Sequence, residues 1–360
     1  MAGGPEVREL TPVAPPSLRL LEPDGTLHGR PPLEPERTVE ALRLMMLSRA
    51  VDGLCTKLQR LGRVGLYGPV HGQEAAVVGS ALALEPARDW MVPASREQPA
   101  MLHHGWPLDG LLAAYMGRLG HAAIPPGAKL LPRQQSIGAQ LPHAAGLAWS
   151  LKLRGERAVT MVYCGDGASS EGDFHEGCNL AGVMGAPLVV VLINNHYAIS
   201  TPMPRQTAAP ALALRALGYG FPGIAVDGDD VFAVHEASRR AVKRALDGGG
   251  PTLIECRTYR VGFHNTTDNP REYRADTEVE EAVRRDPIDR LTRYARASGL
   301  VSEDDLAALA AEVADTLQAA YRRVAALPRP GPGAVFDNVY ADPPPRVRRQ
   351  RAEILGGETA

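Results

Sequence analysis

The 360-residue chain has few cysteines, little net charge and no long apolar run. Each of these shortages argues against one class of protein. Its four cysteines form no CxxC pair, and their wide spacing gives neither a disulfide framework nor a zinc site, so a reduced, cytoplasmic setting fits best. The net charge is only −2 and the central region has no basic stripe, which argues against a nucleic-acid partner. The longest strongly apolar run, LVVVLI at 188–193, is too short to span a bilayer, so we expect no membrane segment. The first residues are rich in Gly and Pro, which predicts no secretory signal.

Composition divides the chain into three parts. Eight prolines fall within the first 35 residues, which predicts an extended N-terminal arm over 1–36. The segment 37–327 predicts one large α/β domain. The motif PRPGPG at 328–333 then breaks the helical pattern, and a Pro-rich, basic tail follows over 328–360.

Helical and strand patterns alternate within the central segment. Apolar residues at helical spacing predict helices at 38–61, 73–84, 108–119, 139–153, 172–184 and 231–247, and two more within 287–327. Uninterrupted apolar runs predict strands at 158–164, 187–195, 223–228 and 251–261. Continuous apolar strands separated by helices are typical of a parallel sheet covered on both faces. We therefore predict a doubly wound, mainly parallel α/β fold with helical extensions at both ends.

The segment GDGASSEG at 165–172 places an acid between two glycines directly after an apolar strand. Asp166 lies one helix and two loops before Asn195, which ends the next predicted strand. Because ligands of open parallel sheets bind beyond the carboxyl ends of the strands, we expect both side chains at one rim. A carboxylate and an amide are oxygen ligands suited to Mg²⁺. We expect Gly167 and Ala168 to open the following helix, whose free N–H groups could receive a diphosphate. The alternative is a surface turn followed by an Asn-rich loop.

The spacing of GDG, about thirty residues and NN resembles the thiamin diphosphate motif. The surrounding sequence resembles the alpha subunit of the decarboxylating component of 2-oxo acid dehydrogenase complexes, a family that includes pyruvate and branched-chain enzymes. The resemblance covers roughly 37–325 and implies the thiamin diphosphate-binding fold. It rests on several further motifs in the same order: GRVGLYGPVHGQEA at 62–75, SIGAQLPHAAG at 136–146, VDGDDVFAVH at 226–235 and GPTLIECRTYRVGFHNTTDNPREYR at 250–274.

The resemblance implies roles for individual residues. Mg²⁺ would be held by the side chains of Asp166 and Asn195 and by the backbone carbonyl of Tyr197. Ile137 lies where the family wedges the cofactor into its bent form, although an apolar residue there fits a core position equally well. The implied cofactor-binding set is Arg96, Ser136, Ile137, Gly138, Asp166, Gly167, Ala168, Asn195, Tyr197, Ala198 and His264. Arg96 would grip the diphosphate with its planar fork, and taken alone it would fit a surface ion pair.

His264 is the candidate catalytic acid or base, because an imidazole titrates near neutrality. Its position alone fits a solvated loop histidine equally well. The resemblance implies that it serves acyl transfer to a lipoyl group, in a loop organised by Arg260, Asp268, Tyr273 and Arg274. His71 and His143 could also line the site, although packed or exposed positions are favoured for both.

Three residues depart from the family pattern. Ser95 precedes Arg96 where the family usually has tyrosine, which removes a potential phosphate donor. Ile193 precedes the NN pair where some relatives carry a polar residue. Asn265 follows His264 where mammalian relatives have a phosphorylatable serine, so kinase control at that position is excluded, although Thr266 and Thr267 carry hydroxyl groups.

The resemblance implies oxidative decarboxylation of a 2-oxo acid, with the thiazolium as electron store and acyl transfer to a lipoyl-bearing acyltransferase. Pyruvate is slightly favoured over a branched-chain 2-oxo acid. Because two-chain members activate thiamin with a carboxylate of the beta subunit, an α2β2 assembly is implied. The alternatives are an acetoin dehydrogenase or other transketolase-like subunit and a cofactor-dead scaffold. A nicotinamide enzyme is disfavoured because no GxGxxG follows a strand with an acid about twenty residues on.

Overall fold

A parallel sheet organises the computed structural model, which describes residues 13–337 and 339–356. Within those residues the strands are β1 (Trp90–Val92), β2 (Thr160–Gly165), β3 (Leu188–Asn194), β4 (Tyr197–Ala198), β5 (Thr201–Pro202), β6 (Gly223–Asp227) and β7 (Thr252–Arg257). Five of them pair in parallel in the order β1-β2-β3-β7-β6, and β4 and β5 form a small antiparallel hairpin. The predicted parallel α/β fold is confirmed.

Helices flank this sheet along the described chain. Their bounds are α1 (Pro35–Arg60), α2 (Glu74–Ala81), α3 (Gln98–His103), α4 (Leu108–Tyr115), α5 (Gln140–Leu153), α6 (Gly172–Met184), α7 (Arg215–Gly218), α8 (Val231–Leu246), α9 (Asp276–Val283), α10 (Pro287–Ala297), α11 (Glu303–Ala326) and α12 (Pro345–Ile354). Each predicted helix corresponds to one of these, with ends that differ by a few residues. The predicted strand at 251–261 is shorter in the structure, because its neighbours β3 and β6 end alongside Arg257.

Side chains of the buried strands alternate between two apolar cores, one on each face of the sheet. In β2, Met161 and Tyr163 belong to a core shared with α1, α2, α8 and α11. Val162 and Cys164 belong to a second core shared with α5 and α6. This alternation is the two-residue period of a strand covered by helices on both faces, and it explains why the sequence of β2 is apolar throughout.

The described part of the N-terminal arm, from residue 13, has no helix before α1 and lies against the edge of the chain's own sheet. The backbone of Leu18 donates to Ala225 and accepts from the backbone N–H of Asp227, at 2.8 and 2.9 Å. The Asp230 carboxylate accepts from the backbone N–H groups of Leu20 and Leu21, both at 2.7 Å, and also caps α8. The first twelve residues of the predicted arm lie outside the described residues.

The basic run RVRRQR at 346–351 lies within α12, which was not predicted because its Pro-rich flanks and high charge indicate a tail. Its exposed residues agree with a solvated end rather than a core element. In the part of the chain that the structure describes, no helix combines the length and apolar character needed to cross a bilayer.

Candidate active site

The loops that follow β2 and β3 meet at one edge of the sheet. Gly165 pairs with Ile193, and the backbone N–H of Asp166 donates to the Ile193 carbonyl at 3.2 Å. Gly167 packs so closely on Ala198 that a Cβ on Gly167 would lie 2.8 Å from the Ala198 Cβ. The glycine is therefore needed for the two loops to approach each other.

A cavity of about 270 Å³ opens at this edge and gathers most of the predicted site. Nine of the eleven predicted site residues line it: Arg96, Ile137, Asp166, Gly167, Ala168, Asn195, Tyr197, Ala198 and His264. Ser136 and Gly138 are not among its lining residues. Ser136 is exposed, and Gly138 is a buried turn residue with a φ of 91° that lies against the Glu171 side chain.

Asp166 is buried at the tip of β2, with 2% of its surface exposed. Burial raises the pKa of its carboxyl group, because the charged form loses its water. One carboxylate oxygen, Oδ2, accepts a hydrogen bond from Gln206 Nε2 at 2.7 Å. Gln206 Nε2 also donates to the Thr201 carbonyl at 3.1 Å, whereas its buried Oε1 has no partner in the described chain.

Asn195 is buried at the tip of β3 and is oriented by two contacts. Its Nδ2 donates to Gln73 Oε1 at 3.0 Å, and its Oδ1 accepts from the Tyr197 backbone N–H at 3.3 Å. The loop beyond it is unusual, since His196 and Ile199 have φ values of 72° and 57°. Left-handed backbone at non-glycine residues is costly and is often retained at functional sites.

The oxygen atoms that these residues offer can hold a magnesium ion only if a bound ligand fills the rest of its coordination sphere. Asp166 supplies one carboxylate, Asn195 one amide oxygen and Tyr197 a backbone carbonyl, all on the wall of one cavity. Among residues 13–337 and 339–356, no three His, Cys, Asp or Glu side chains cluster as a metal site. Mg²⁺ in such sparse oxygen sites takes its remaining ligands from water and substrate phosphates.

The backbone after Asp166 differs from the prediction in one respect. Gly167 was expected to open the following α-helix, but residues Gly167–Ser170 form a short 3₁₀ turn, and α6 begins only at Gly172. The Ser169 backbone N–H and hydroxyl group both bond to the Asp166 carbonyl, which closes the turn. A 3₁₀ turn fits here because the chain must pass tightly under Ala198 before α6 can start.

Arg96 and His264 also line the cavity and contact each other directly. Arg96 Nη2 lies 3.1 Å from His264 Nδ1 and also donates to the His264 carbonyl, while Nη1 donates to the Pro69 carbonyl. Burial lowers the pKa of Arg96 to about 10, with the nearby Arg260 adding to the effect. The guanidinium group is thus positioned by backbone carbonyls at the cavity wall.

Burial, together with the positive charges of Arg96 and Arg260, lowers the pKa of His264 to about 4 against the opposing effect of Asp268. The ring is therefore neutral at pH 7. Because a guanidinium group only donates, Nδ1 accepts from Arg96 and the ring proton lies on Nε2.

The loop that carries His264 is held by the residues expected to organise it. The fully buried Arg260 donates to the Ile199 carbonyl at 2.6 Å and to Tyr273 Oη at 3.2 Å. Asp268 accepts from the His264 backbone N–H at 2.6 Å and from the Tyr273 hydroxyl group at 2.7 Å. Arg274 donates to the carbonyls of residues 260–262. The predicted organisation of this loop is confirmed.

Sequence reasoning assigned no role to several residues of the site. Glu97 is 3% exposed, lines the cavity, and burial raises the pKa of its carboxyl group to about 7. Gln73 and Gln206 orient Asn195 and Asp166, and Gln140 lines the same cavity. Only Gln73 and Gln140 lie within motifs that the sequence singled out. Gln206 lies forty positions after Asp166 in a loop with no recognisable pattern.

The exposure and contacts of the other residues singled out in the sequence show which of them lie in the cavity and which lie outside it. Ile137 is 52% exposed and lines the cavity, so the alternative of a buried core residue is wrong. Ser95 and Ile193, two of the residues that depart from the family pattern, also line the cavity. His143 is exposed, with Nδ1 near the Ala139 carbonyl of its own helix. His71 is partly buried beside Asp286, 4.0 Å away, outside the cavity.

Together, the parallel sheet and the carboxylate and amide at the tips of neighbouring strands define an α/β protein with a ligand cavity at the carboxyl ends of its strands. A family model described as "Dehydrogenase E1 component" matches residues 42–333. The chain therefore belongs to the dehydrogenase E1 component family, the thiamin diphosphate-dependent oxidoreductases that decarboxylate 2-oxo acids. This result confirms the family recognised in the sequence and excludes the nicotinamide alternative.

Two curated relatives have the same name, pyruvate dehydrogenase E1 component subunit alpha. The protein of Staphylococcus epidermidis is 38% identical over 337 residues, which cover 92% of this chain and 91% of the relative. The protein of Staphylococcus aureus is 42% identical over 291 residues, which cover 80% of this chain and 78% of the relative. The similarity therefore covers at least 78% of each protein compared and supports assignment to the alpha type of subunit.

Proposed function

We propose that this chain is the alpha subunit of a two-chain pyruvate dehydrogenase that uses thiamin diphosphate and Mg²⁺. The observation that carries the proposal is the convergence of Asp166 and Asn195, from the tips of two neighbouring strands, on one cavity with Arg96 and His264. Pyruvate is chosen over a branched-chain 2-oxo acid because the relatives from both staphylococci are named pyruvate dehydrogenase subunits.

The residues of the cavity match the parts of the proposed cofactor. Asp166, Asn195 and the Tyr197 carbonyl would hold Mg²⁺, which in turn would bind the diphosphate oxygens. Arg96, Gly167 and Ala168 would donate to the diphosphate, and the half-exposed Ile137 would press against the bent cofactor. When bound, thiamin diphosphate supplies the electron sink that decarboxylation needs.

His264 would act on protons at the mouth of the site. Its Nε2–H is the free donor, since Nδ1 faces Arg96. If Arg96 turns toward a bound diphosphate, the histidine loses its nearest positive charge and its pKa rises toward the range useful for general acid chemistry. The neutral imidazole of the present structure would then be able to take and return a proton during transfer to the lipoyl sulfur.

The proposed function requires a second chain. We infer that this chain carries the diphosphate end of the site, because Arg96, Asp166 and Asn195 line its cavity, and the carboxylate that activates the aminopyrimidine would come from a beta subunit in an α2β2 assembly. A lipoyl-bearing acyltransferase would receive the acyl group. We place the assembly in the cytoplasm, because all four cysteines are buried free thiols, as expected in a reducing compartment.

The test is reconstitution with the beta subunit and steady-state assay of 2-oxo acid-dependent dye reduction, with Mg²⁺ and thiamin diphosphate present. We expect activity only from the two-chain complex, with a higher kcat/KM for pyruvate than for 3-methyl-2-oxobutanoate. Full turnover by the isolated chain would refute the two-chain proposal. A preference for the branched-chain acid, or for acetoin, would overturn the substrate assignment while leaving the cofactor site in place.

A further inference from the structure

A second and larger cavity, of about 930 Å³, lies away from the proposed cofactor site. It is enclosed by the loop at 62–66, the end of α4 and the segment from Tyr321 to Pro330. None of the residues that line it lines the cofactor cavity. Its volume is within the range typical of sites for small organic ligands.

Four arginines line this cavity, which we call the arginine cleft: Arg63, Arg118, Arg133 and Arg329. No aspartate or glutamate is among its lining residues. Across the described residues, none of the four guanidinium groups lies within 4 Å of a carboxylate. Four like charges that face one cleft without a counter-charge repel each other and attract anions.

Three of these arginines are held in place by neutral partners. Arg63 Nη1 donates to Tyr321 Oη at 2.8 Å. Arg118 donates to the Leu327 carbonyl at 3.1 Å and to the Met116 carbonyl at 3.2 Å. Arg133 lies over the Tyr115 ring, 4.4 Å from its centre. The charges are thus positioned before any ligand binds, which reduces the entropy lost on binding.

Many donors of the cleft are still available to a ligand. Arg133 and Arg329 donate no hydrogen bond to any protein group in the part of the chain described, which leaves about ten N–H donors on these two side chains alone. A planar guanidinium group can donate two parallel hydrogen bonds to two oxygens of one phosphate group. A single carboxylate would neutralise only one of the four charges.

We propose that the arginine cleft binds a small molecule through an oligophosphate group, as a nucleoside triphosphate or an inorganic polyphosphate would present. The four positive charges of the cleft favour an anion that carries several negative charges. The partly buried Tyr321 ring and the exposed side chain of Leu66, which also line the cleft, give a surface for an organic group attached to the phosphates.

The cleft is connected to the cofactor site through one aromatic residue. Tyr115 receives Arg133 on its ring face, and its hydroxyl oxygen accepts from Gln98 Nε2 at 2.8 Å. Gln98 follows Arg96 by two positions at the start of α3. Arg133, Tyr115 and Gln98 therefore form a chain of contacts from the cleft to the start of α3, two positions after Arg96.

The test is calorimetric titration of inorganic triphosphate into the α/β complex, already saturated with thiamin diphosphate and held in constant excess Mg²⁺. We expect saturable binding, one triphosphate per copy of this chain, that weakens as salt is added. The double variant Arg133→Gln with Arg329→Gln should bind at least tenfold more weakly. Arg322→Gln, a control on α11 that does not line the cleft, should bind as the parent does.

Because Arg133 packs on Tyr115, the single variant Arg329→Gln serves as a second test that leaves every observed contact intact, and it should weaken binding several-fold. Tighter binding of ATP than of triphosphate would identify a nucleotide as the source, and equal binding an inorganic polyphosphate. The proposal is overturned if no saturable binding occurs, if the double variant binds normally, or if only the chain separated from its partner binds. The last outcome would make the cleft a subunit interface.

Discussion

His264 Nδ1 lies 3.1 Å from the guanidinium Nη2 of Arg96, and the two side chains share one wall of the cofactor cavity. This contact fixes the histidine in the neutral form with its proton on Nε2. In the proposed function, it also gives Arg96 a partner that a bound diphosphate would have to replace. Cofactor binding and the protonation of His264 would then be coupled through a single arginine.

Replacing His264 by glutamine should lower the rate of lipoyl acylation by roughly 10²–10⁴-fold, the usual contribution of a positioned general acid or base. Thiamin diphosphate affinity should change much less, because His264 is not one of the proposed metal ligands. Rates with a free lipoyl domain and calorimetry of cofactor binding measure the two effects. His143→Gln, an exposed histidine outside the cavity, is the matched control. An unchanged acylation rate in the His264 variant would remove this residue from the mechanism.

Replacing Glu97 by glutamine should stabilise the protein increasingly as pH rises. Burial raises the pKa of this carboxyl group from 4.5 to about 7, so the folded state holds a proton that the unfolded state releases. The stability that the protonated carboxyl contributes is complete below pH 4.5 and is lost as pH rises toward 7. The difference between the unfolded and the folded pKa corresponds to a loss of at most about 3 kcal/mol in the free energy of unfolding.

Urea unfolding at pH 5 and pH 8 measures this difference. Relative to the parent protein, Glu97→Gln should gain stability between the two pH values. Glu176→Gln, on the exposed surface of α6, should show no such gain. An unchanged relative stability of Glu97→Gln between pH 5 and pH 8 would contradict the prediction and show that Glu97 is already ionised in the folded state at pH 5.

Replacing Gln206 by alanine should increase the affinity for Mg²⁺ several-fold. The Gln206 amide donates to Oδ2 of Asp166 at 2.7 Å, and a cation that uses this oxygen must displace it. The measurement is Mg²⁺ titration of the α/β complex in the presence of thiamin diphosphate, followed by calorimetry. Gln318→Ala, at an exposed position of α11, should have no effect. Weaker Mg²⁺ binding in the Gln206 variant would instead mean that this side chain supports the ion.

Replacing Gly167 by alanine should separate the two site loops. The added Cβ would lie 2.8 Å from that of Ala198, a contact that forces one loop to move and costs about 1–3 kcal/mol. We expect a lower unfolding temperature together with weaker cofactor binding. Gly172→Ala is the control, since a Cβ there meets no atom within 4 Å. Equal behaviour of the two variants would show that the close approach of the loops is not required.

The sequence predicted those parts of the fold that carry a strong local pattern. The buried strands β2 and β3 are apolar throughout, so their place in a covered parallel sheet could be inferred. Strand β1 was missed because it has three residues and lies at the sheet edge, where pairing with β2 and not its own sequence defines it. Helix α12 was missed because a charged, Pro-flanked segment resembles a tail.

The sequence predicted the site residues that lie within recognisable motifs. Asp166 and Asn195 follow directly from the strand ends, since neighbouring parallel strands finish at the same rim. Gln206 and Glu97 could not be predicted as parts of the site, because their roles depend on where a loop folds back and how deeply a side chain is buried. The family resemblance also implied Ser136 and Gly138, but of this segment only Ile137 lines the cavity.

The most direct test of the account is calorimetric titration of thiamin diphosphate with Mg²⁺ into the α/β complex, for the parent protein and for Asp166→Asn. Asparagine preserves the size of the side chain but removes the only carboxylate proposed to hold the ion. We predict saturable, Mg²⁺-dependent binding to the parent complex and a loss of at least tenfold in affinity, about 1.4 kcal/mol or more, in the variant. Equal affinity in both proteins, or binding to the parent complex that persists without a divalent cation, would contradict the account.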